Sequence, residues 1–85
     1  MIKINDIYFN NSGGKDHIIY IMGIGNNTSN AEITFAMVDM ETCKSNILKV
    51  HEFLNIYDEC KLIGNENVKP MEIMNLTDKY PEYFI

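Results

Sequence analysis

The stretch from His17 to Ile24 constrains the fold more than any other part of the chain. After its first residue it reads IIYIMGI, so apolar side chains occupy both parities of an extended segment. A strand that is apolar on both faces is covered on both sides, as the central strands of a sheet are. A chain of 85 residues has room for one small domain around such a strand.

The composition is that of an ordinary folded domain, with 46% hydrophobic and 22% charged residues. These proportions exclude an intrinsically disordered chain and a fibre. A chain this short buries about 60–65% of its unfolded surface, so its stability margin is thin and self-association would add to it. We predict one domain over residues 1–85, with homo-oligomerisation as an open alternative.

The N-terminal segment is predicted to change face in its middle. Ile2 and Ile4 share one parity, whereas Ile7 and Phe9 share the other, so a bulge or tight turn is needed between them at 5–6. The run NNSGG at 10–14 predicts a turn, since Asn and Gly tolerate positive φ. The central strand follows directly after this turn.

Two more strands are predicted after the central one. Residues 32–37 alternate between apolar and more polar side chains, which indicates a half-buried strand. A helix is the alternative there, because Ser29 and Glu32 have capping-box spacing. Residues 39–44 indicate a hairpin turn, and 45–49 follow either as a short fourth strand or as the first turn of the next helix.

The hydrophobic period changes near Val50. Apolar residues then recur at i, i+3, i+4 and i+7, which predicts an amphipathic helix of about three turns that ends by Gly64. Residues 60–63 suggest a short strand, and a second short helix is predicted from Pro70 to Lys79. The predicted class is α+β: a small antiparallel sheet of three to four strands, followed by an amphipathic helix and a short C-terminal helix. An SH3-like β-barrel is the alternative.

The charge of the chain narrows the classes of partner. Twelve acidic residues, seven lysines and no arginine give a net charge of −5. Phosphate recognition favours the planar fork of arginine, so direct nucleic-acid binding is not expected. Residues 50–85 carry seven acids and three lysines, against five acids and four lysines in 1–49. A protein partner would therefore have a basic surface and meet the C-terminal half.

The segment after Pro70 is too apolar to stay in solvent, so it covers either the sheet or a partner. Acidic residues intersperse its aromatic anchors, and an apolar centre with an acidic rim suits a basic protein surface. Together with two acids of the preceding helix, the predicted protein-binding residues are Glu52, Glu59, Glu72, Asp78, Tyr80, Tyr83 and Phe84.

The loop after the central strand offers a second kind of site. Its spacing matches neither a P-loop nor the dinucleotide fingerprint, but its side chains are able to hydrogen-bond a nucleotide-like small molecule. The predicted ligand-binding residues are Asn26, Asn27, Thr28 and Ser29.

The sequence favours neither catalysis nor metal binding. Cys43 with His51 would make a nucleophile and its base, but no local motif supports the pair, which we keep only as a third alternative. His17, His51, Cys43 and Cys60 lack the short paired spacing of a zinc site. We predict no enzyme activity, no metal and no cofactor.

Nothing near the N-terminus resembles a signal peptide, because Lys3 and Asp6 interrupt its apolar residues. The longest apolar run covers residues 18–22, far below the roughly 20 residues that a membrane span needs. We expect a cytoplasmic protein with reduced cysteines and no membrane contact.

Three short runs carry a resemblance to other proteins. YIMGI at 20–24, DMETCK at 39–44 and VHEFL at 50–54 resemble the strand, turn and strand-to-helix cadence of small uncharacterised proteins of low-GC bacteria and their phages. Some of those have SH3-like barrels, and Cys43 departs from the Gly expected in the turn. The resemblance transfers no active site.

The resemblance implies an accessory protein that inhibits a host enzyme or a defence system. Our leading hypothesis is a small acidic, non-enzymatic binding protein, phage-encoded, that inhibits or sequesters such a host protein. The alternative is a homo-oligomer that sequesters a nucleotide-like small molecule.

Overall fold

The protein is built on an antiparallel sheet flanked by short helices, in a computed structural model that describes residues 1–25 and 31–84. The strands are β1 (Asp6–Asn10), β2 (His17–Ile24), β3 (Glu32–Val38), β4 (Cys43–Lys49) and β5 (Lys61–Asn65). The helices are α1 (Val50–Ile56), α2 (Pro70–Ile73) and α3 (Leu76–Lys79), with 3-10 turns at Ser12–Gly14 and Pro81–Tyr83. The five strands lie in the order β4-β3-β2-β1-β5. The α+β class is confirmed.

β2 lies in the middle of the sheet, as its apolar sequence predicted. It pairs with β1 on one side and with β3 on the other. Its successive side chains enter two different clusters, with Ile18 and Tyr20 in one and Ile19 and Ile21 in the other. All four are buried, so both faces of the strand are covered.

The two faces of the sheet carry separate apolar clusters. The tail face is formed by Ile7, Ile18, Tyr20, Ala36 and Val38, covered by Val68, Ile73 and Leu76. The α1 face is formed by Ile19, Ile21, Ile33 and Phe35, covered by Phe53 of α1.

A tight turn at Asn5 produces the predicted change of face. Asn5 has a φ of 71°, and the N–H of Asp6 donates to the carbonyl of Lys3 over 3.1 Å. The buried Asp6 carboxylate then accepts the N–H of Lys3 at 2.8 Å, the hydroxyl of Tyr8 at 2.7 Å and the amide of Asn65 at 2.8 Å. This network joins the start of β1 to the end of β5.

Residues 45–49 form a strand, and β4 begins even earlier at Cys43. The preceding turn is held by Asp39, whose carboxylate accepts the N–H groups of Glu41 and Thr42 at 2.7 Å each. Cys43 is the first residue of the strand and needs no positive φ, so its replacement of the expected Gly is tolerated. The helix alternative for 32–37 is wrong as well, because those residues belong to β3.

The second half of the chain differs from the sequence prediction in three ways. α1 has seven residues and ends at Ile56, so it is shorter than predicted and Gly64 is not its stop. The short strand suggested at 60–63 is present as β5, but it extends to Asn65 and so includes Gly64, and its pairing with β1 adds a fifth strand to the sheet. The predicted C-terminal helix is two helices of four residues each, interrupted at Met74 and Asn75.

The sheet is open rather than closed into a barrel. β4 and β5 are its two edges, and within the described part of the chain they do not pair with each other. The SH3-like barrel alternative is therefore wrong. The helices pack on the faces of the sheet, as in an α+β domain.

Candidate functional site

An apolar groove of about 570 Å³ opens on the α1 face, between α1 and the N-terminal segment. Its volume lies within the range of roughly 300–1,000 Å³ that is typical of ligand pockets. The lining residues are Met1, Ile2, Tyr8, Ile24, Ile33, Val50, Phe53, Leu54, Tyr57, Asp58 and Cys60.

The groove exists because α1 covers only part of its face. α1 packs against β3 and β4 and buries one residue, Phe53. Over β1 and β5 the same face carries Tyr8 and its cross-strand partner Leu62, which is 56% exposed. Within the described residues, no helix covers this half of the face.

The hydroxyls of the two groove tyrosines are already used within the fold. Tyr8 donates to the Asp6 carboxylate at 2.7 Å, and Tyr57 donates to the sulfur of Met37 at 3.0 Å. Burial, together with the bond to Asp6, raises the pKa of Tyr8 far above its ordinary value. These side chains therefore present ring surface rather than free donors to an occupant.

Cys60 and Asp58 are the other lining residues with polar or ionisable side chains. The amide of Asn10 donates to the sulfur of Cys60 over 3.5 Å. Burial raises the pKa of the Cys60 thiol and outweighs the opposite effect of Asn10, so the thiol stays protonated and unreactive at neutral pH. Of the eleven described residues that line the groove, Asp58 alone has a charged side chain.

The structure separates the four acids predicted to bind a partner. Glu52 is in α1 and Glu59 follows it, whereas Glu72 is in α2 and Asp78 in α3, which cover the opposite face. All four side chains are exposed. Glu52 also accepts the N–H of Lys49 at 3.2 Å, so it has a role at the start of α1. The four acids do not form one surface.

The aromatic residues of the tail pack on the chain's own sheet. The ring of Tyr83 lies 4.9 Å from that of Phe9, and Phe84 lies 6.1 Å from Phe9. The ammonium of Lys61 lies 5.5 Å above the Tyr83 ring, and Tyr80 packs against the tail-face cluster. A contact of these residues with a partner stays a prediction.

The predicted ligand-binding residues of the loop, Asn26, Asn27, Thr28 and Ser29, lie outside the described residues. The groove reaches the two strand ends that flank this loop, since Ile24 and Ile33 are among its lining residues.

Cys43 and His51 do not form a nucleophile and base pair. Cys43 is the first residue of β4 and His51 lies two residues beyond its last, and the seven residues of the strand span roughly 20 Å. Burial raises the pKa of the Cys43 thiol, the reverse of what activates a nucleophile. Within the part of the chain that the structure describes, no three His, Cys, Asp or Glu side chains are grouped so that they would hold a metal ion.

Sequence reasoning missed the groove because it assigned Leu54 to the buried stripe of the helix. Leu54 is 49% exposed and lines the groove. The sequence did contain a signal for this exposure. Its apolar stripe is wider than the surface that a helix of seven residues can bury. Tyr8 and Asp58 carried no sequence signal of their own.

Comparison with known proteins provides no family for this chain. No protein-family model, no curated protein and no solved structure matches it. Among the helices of the described residues, none has the length and hydropathy needed to cross a membrane. The groove and the charges around it are the features of the described chain that bear on function.

Proposed function

We propose that this chain is a non-enzymatic binding protein that holds a basic partner protein on its α1 face. The observation that carries the proposal is the apolar groove with the Asp58 carboxylate in its lining. Protein interfaces combine an apolar centre with a polar rim, and charge on the rim selects the partner. A partner with apolar anchors and flanking lysine or arginine residues complements this arrangement.

The charges near the groove support a basic partner over a second copy of the chain. Asp58 and Glu59 are both exposed at the end of α1. Lys3 and Asp6 are outside the groove lining, and Lys3 lies close enough to Asp6 to lower its pKa, so those two charges offset each other. Two copies meeting groove to groove would bring like charges together, which costs free energy.

Two observations support a wider role, namely the net charge of −5 and the resemblance described above. We propose that the partner is a host protein such as a defence enzyme, that this chain is a phage-encoded inhibitor or sequestering protein, and that both are cytoplasmic. Binding in the groove would cover part of the surface of the target protein, and it would involve no chemical reaction.

A small molecule is the second candidate occupant, and the groove volume favours it. An apolar or weakly cationic molecule fits the lining better than a nucleotide does, because Asp58 repels phosphate groups. If the chain assembles as a homo-oligomer that sequesters a small molecule, native mass spectrometry would show the mass of the bound molecule in addition to that of each copy.

The test compares two double charge reversals on opposite faces. Asp58→Lys with Glu59→Lys changes the α1 side, and Glu72→Lys with Asp78→Lys makes the same change of net charge near the tail face. Native mass spectrometry of tagged protein from a low-GC bacterial lysate identifies the partner, and the affinity of the purified partner is then measured for each variant.

We expect the α1-side reversal to weaken binding by about tenfold or more and the tail-side reversal to leave it nearly unchanged. Equal effects of the two reversals, or no effect of either, would overturn the proposal. A complex that contains small-molecule mass and no second protein would favour the second candidate.

A further inference from the structure

The edge strand β4 is where a partner strand would add to the sheet. The N–H of Val50 donates to the carbonyl of Ala31 in the β3–β4 ladder over 3.1 Å. Because an antiparallel ladder alternates, the even-numbered N–H groups of β4 point toward β3 and the odd-numbered ones point outward.

Two of the outward N–H groups of β4 are already bonded within the chain. The N–H of Ile47 donates to the side-chain oxygen of Asn46 at 2.8 Å, and that of Lys49 donates to the Glu52 carboxylate at 3.2 Å. A partner strand would have to displace both acceptors. Lysine side chains on the strand oppose pairing further.

The other edge strand is a poor template as well. β5 has five residues, and its register with β1 shifts between Ile7 and Tyr8. Short, irregular edge strands disfavour strand addition. Recognition therefore uses side chains on a face of the sheet rather than the backbone of an edge.

The part of the α1 face that no described helix covers is about as wide as one helix. Its two strands, β1 and β5, are about 4.8 Å apart and make a strip about 10 Å wide. An α-helix with its side chains is about 10 Å across, and packed helices lie 8–10 Å apart. A second helix beside α1 would cover Tyr8 and Leu62 and fill the groove against Leu54.

We infer, on the basis of the proposed binding function, that the groove holds a basic amphipathic helix of the partner protein. Its apolar residues at i, i+3, i+4 and i+7 lie along the groove, and its lysine or arginine side chains face Asp58 and Glu59. The positive charge matches the acidic end of α1, and the apolar stripe matches the lining.

Three labelled peptides of about 14 residues test this inference. One has an amphipathic leucine and lysine pattern, the second has glutamate in place of lysine, and the third is the lysine peptide with two central prolines that prevent a helix. Fluorescence anisotropy measures their affinities, and circular dichroism measures helix formation on binding. We expect the lysine peptide to bind about tenfold or more tightly than either of the others, and to become helical.

Two variants of α1 separate the groove from the rest of the surface. Leu54→Lys changes a groove residue that is 49% exposed, and Ile56→Lys changes a residue of the same helix that is 52% exposed and outside the groove lining. Both add one positive charge. We expect Leu54→Lys to weaken the lysine peptide by about tenfold, and Ile56→Lys to weaken it by no more than about twofold.

The outcomes distinguish failure of this inference from failure of the proposed function. Binding of the proline peptide as tight as that of the lysine peptide, or equal effects of the two α1 variants, would show that no helix occupies the groove. If the Asp58 and Glu59 reversal still weakened the natural partner, the binding function would stand. Self-association of the wild type that Leu54→Lys abolishes would make a second copy the occupant and overturn the inference.

Discussion

The two faces of the sheet are covered in different ways. On the tail face, two four-residue helices and the turn after them spread over the sheet, and Val68, Ile73 and Leu76 are all buried there. On the α1 face, one helix of seven residues is docked by Phe53, and the groove lies beside it.

The difference lies in the number of anchors: the tail segment buries three apolar side chains against its face, whereas α1 buries one. A helix presents one straight stripe, so it covers a strip of about 10 Å. The tail is divided into two four-residue helices and a 3-10 turn, so its buried side chains come from several short pieces. The groove therefore lies beside the single buried anchor of α1, whereas the tail face is anchored at three points.

The largest effect is expected from removing the contact that docks α1. Phe53 is 1% exposed, and its ring lies 5.0 Å from that of Phe35. Phe53→Ala should cost about 3–5 kcal/mol of unfolding free energy, because it leaves a cavity and releases the helix. Urea unfolding measures the loss.

Two further alanine substitutions calibrate this prediction. Leu76→Ala on the tail face should cost about 2–4 kcal/mol, since its neighbours Val68 and Ile73 keep the segment docked. Ile56→Ala, at an exposed position of α1, should change the stability by less than about 0.5 kcal/mol. If Phe53→Ala cost less than Leu76→Ala, the α1 face would not depend on its one anchor.

The next effect concerns the carboxylate beside the groove. Burial acts to raise the pKa of Asp6, but the hydrogen bonds from Asn65, Lys3 and Tyr8 outweigh it and hold the pKa below its ordinary value of 3.8. A lowered pKa in the folded state adds stability above the unfolded pKa, and this stability is lost as the pH falls through the folded value.

Asp6→Asn should therefore cost about 1.5–3 kcal/mol near pH 7 and progressively less below pH 4. Unfolding free energies measured across this range for both proteins check the prediction. A stability difference that does not change with pH would contradict it.

A smaller effect is expected on the tail face at Gly64. A Cβ at this position would lie 2.6 Å from the hydroxyl oxygen of Tyr80 and 3.5 Å from the ring carbon that carries it. Gly64→Ala should cost about 1–2 kcal/mol, because the tyrosine has to shift. Adding Tyr80→Phe should restore most of the loss, as thermal unfolding of the two single variants and the double variant would show. If the stability losses of the two single variants simply added in the double variant, the contact with the Tyr80 hydroxyl would not be the source of the strain.

The smallest effect concerns His17, which is buried and whose Nε2 has no hydrogen-bond partner within the described chain. Burial lowers the pKa of His17 and outweighs the opposite effects of Asp39, the Lys15 backbone and Asp16, while the Lys15 charge lowers it further. The resulting stability is present above pH 6.5 and lost as the pH falls through the folded value. His17→Leu should change stability by less than about 1 kcal/mol at pH 7 and flatten its dependence between pH 7 and 5. The free energy of unfolding is measured by chemical denaturation at each pH. If it changed with pH as steeply in His17→Leu as in the wild type, the prediction would be contradicted.

Much of the sheet was predictable because its signals are local. The apolar parity of β2, the turn at Asn5 and the alternation of β3 each depend on residues within a few positions of one another. The short polar sequence of 45–49 suits either a strand or a helix, so it does not decide between them. Pairing with β3 decided it.

The candidate site was only partly predictable for the same reason. The acidity of the second half is visible in the sequence, but the separation of Glu59 from Glu72 and Asp78 onto opposite faces is not. The exposure of Leu54 depends on where α1 docks, which periodicity does not show.

The sequence by itself determined the central strand, the turn before it at residues 10–14 and the acidic charge of the second half, because these follow from residue type and short spacing. Only the tertiary structure decided that β5 joins β1, that the C-terminal helix breaks in two and that a groove remains beside α1. Those features depend on contacts between residues far apart in the chain. Their free energy comes from packing against whichever surface the rest of the fold leaves uncovered.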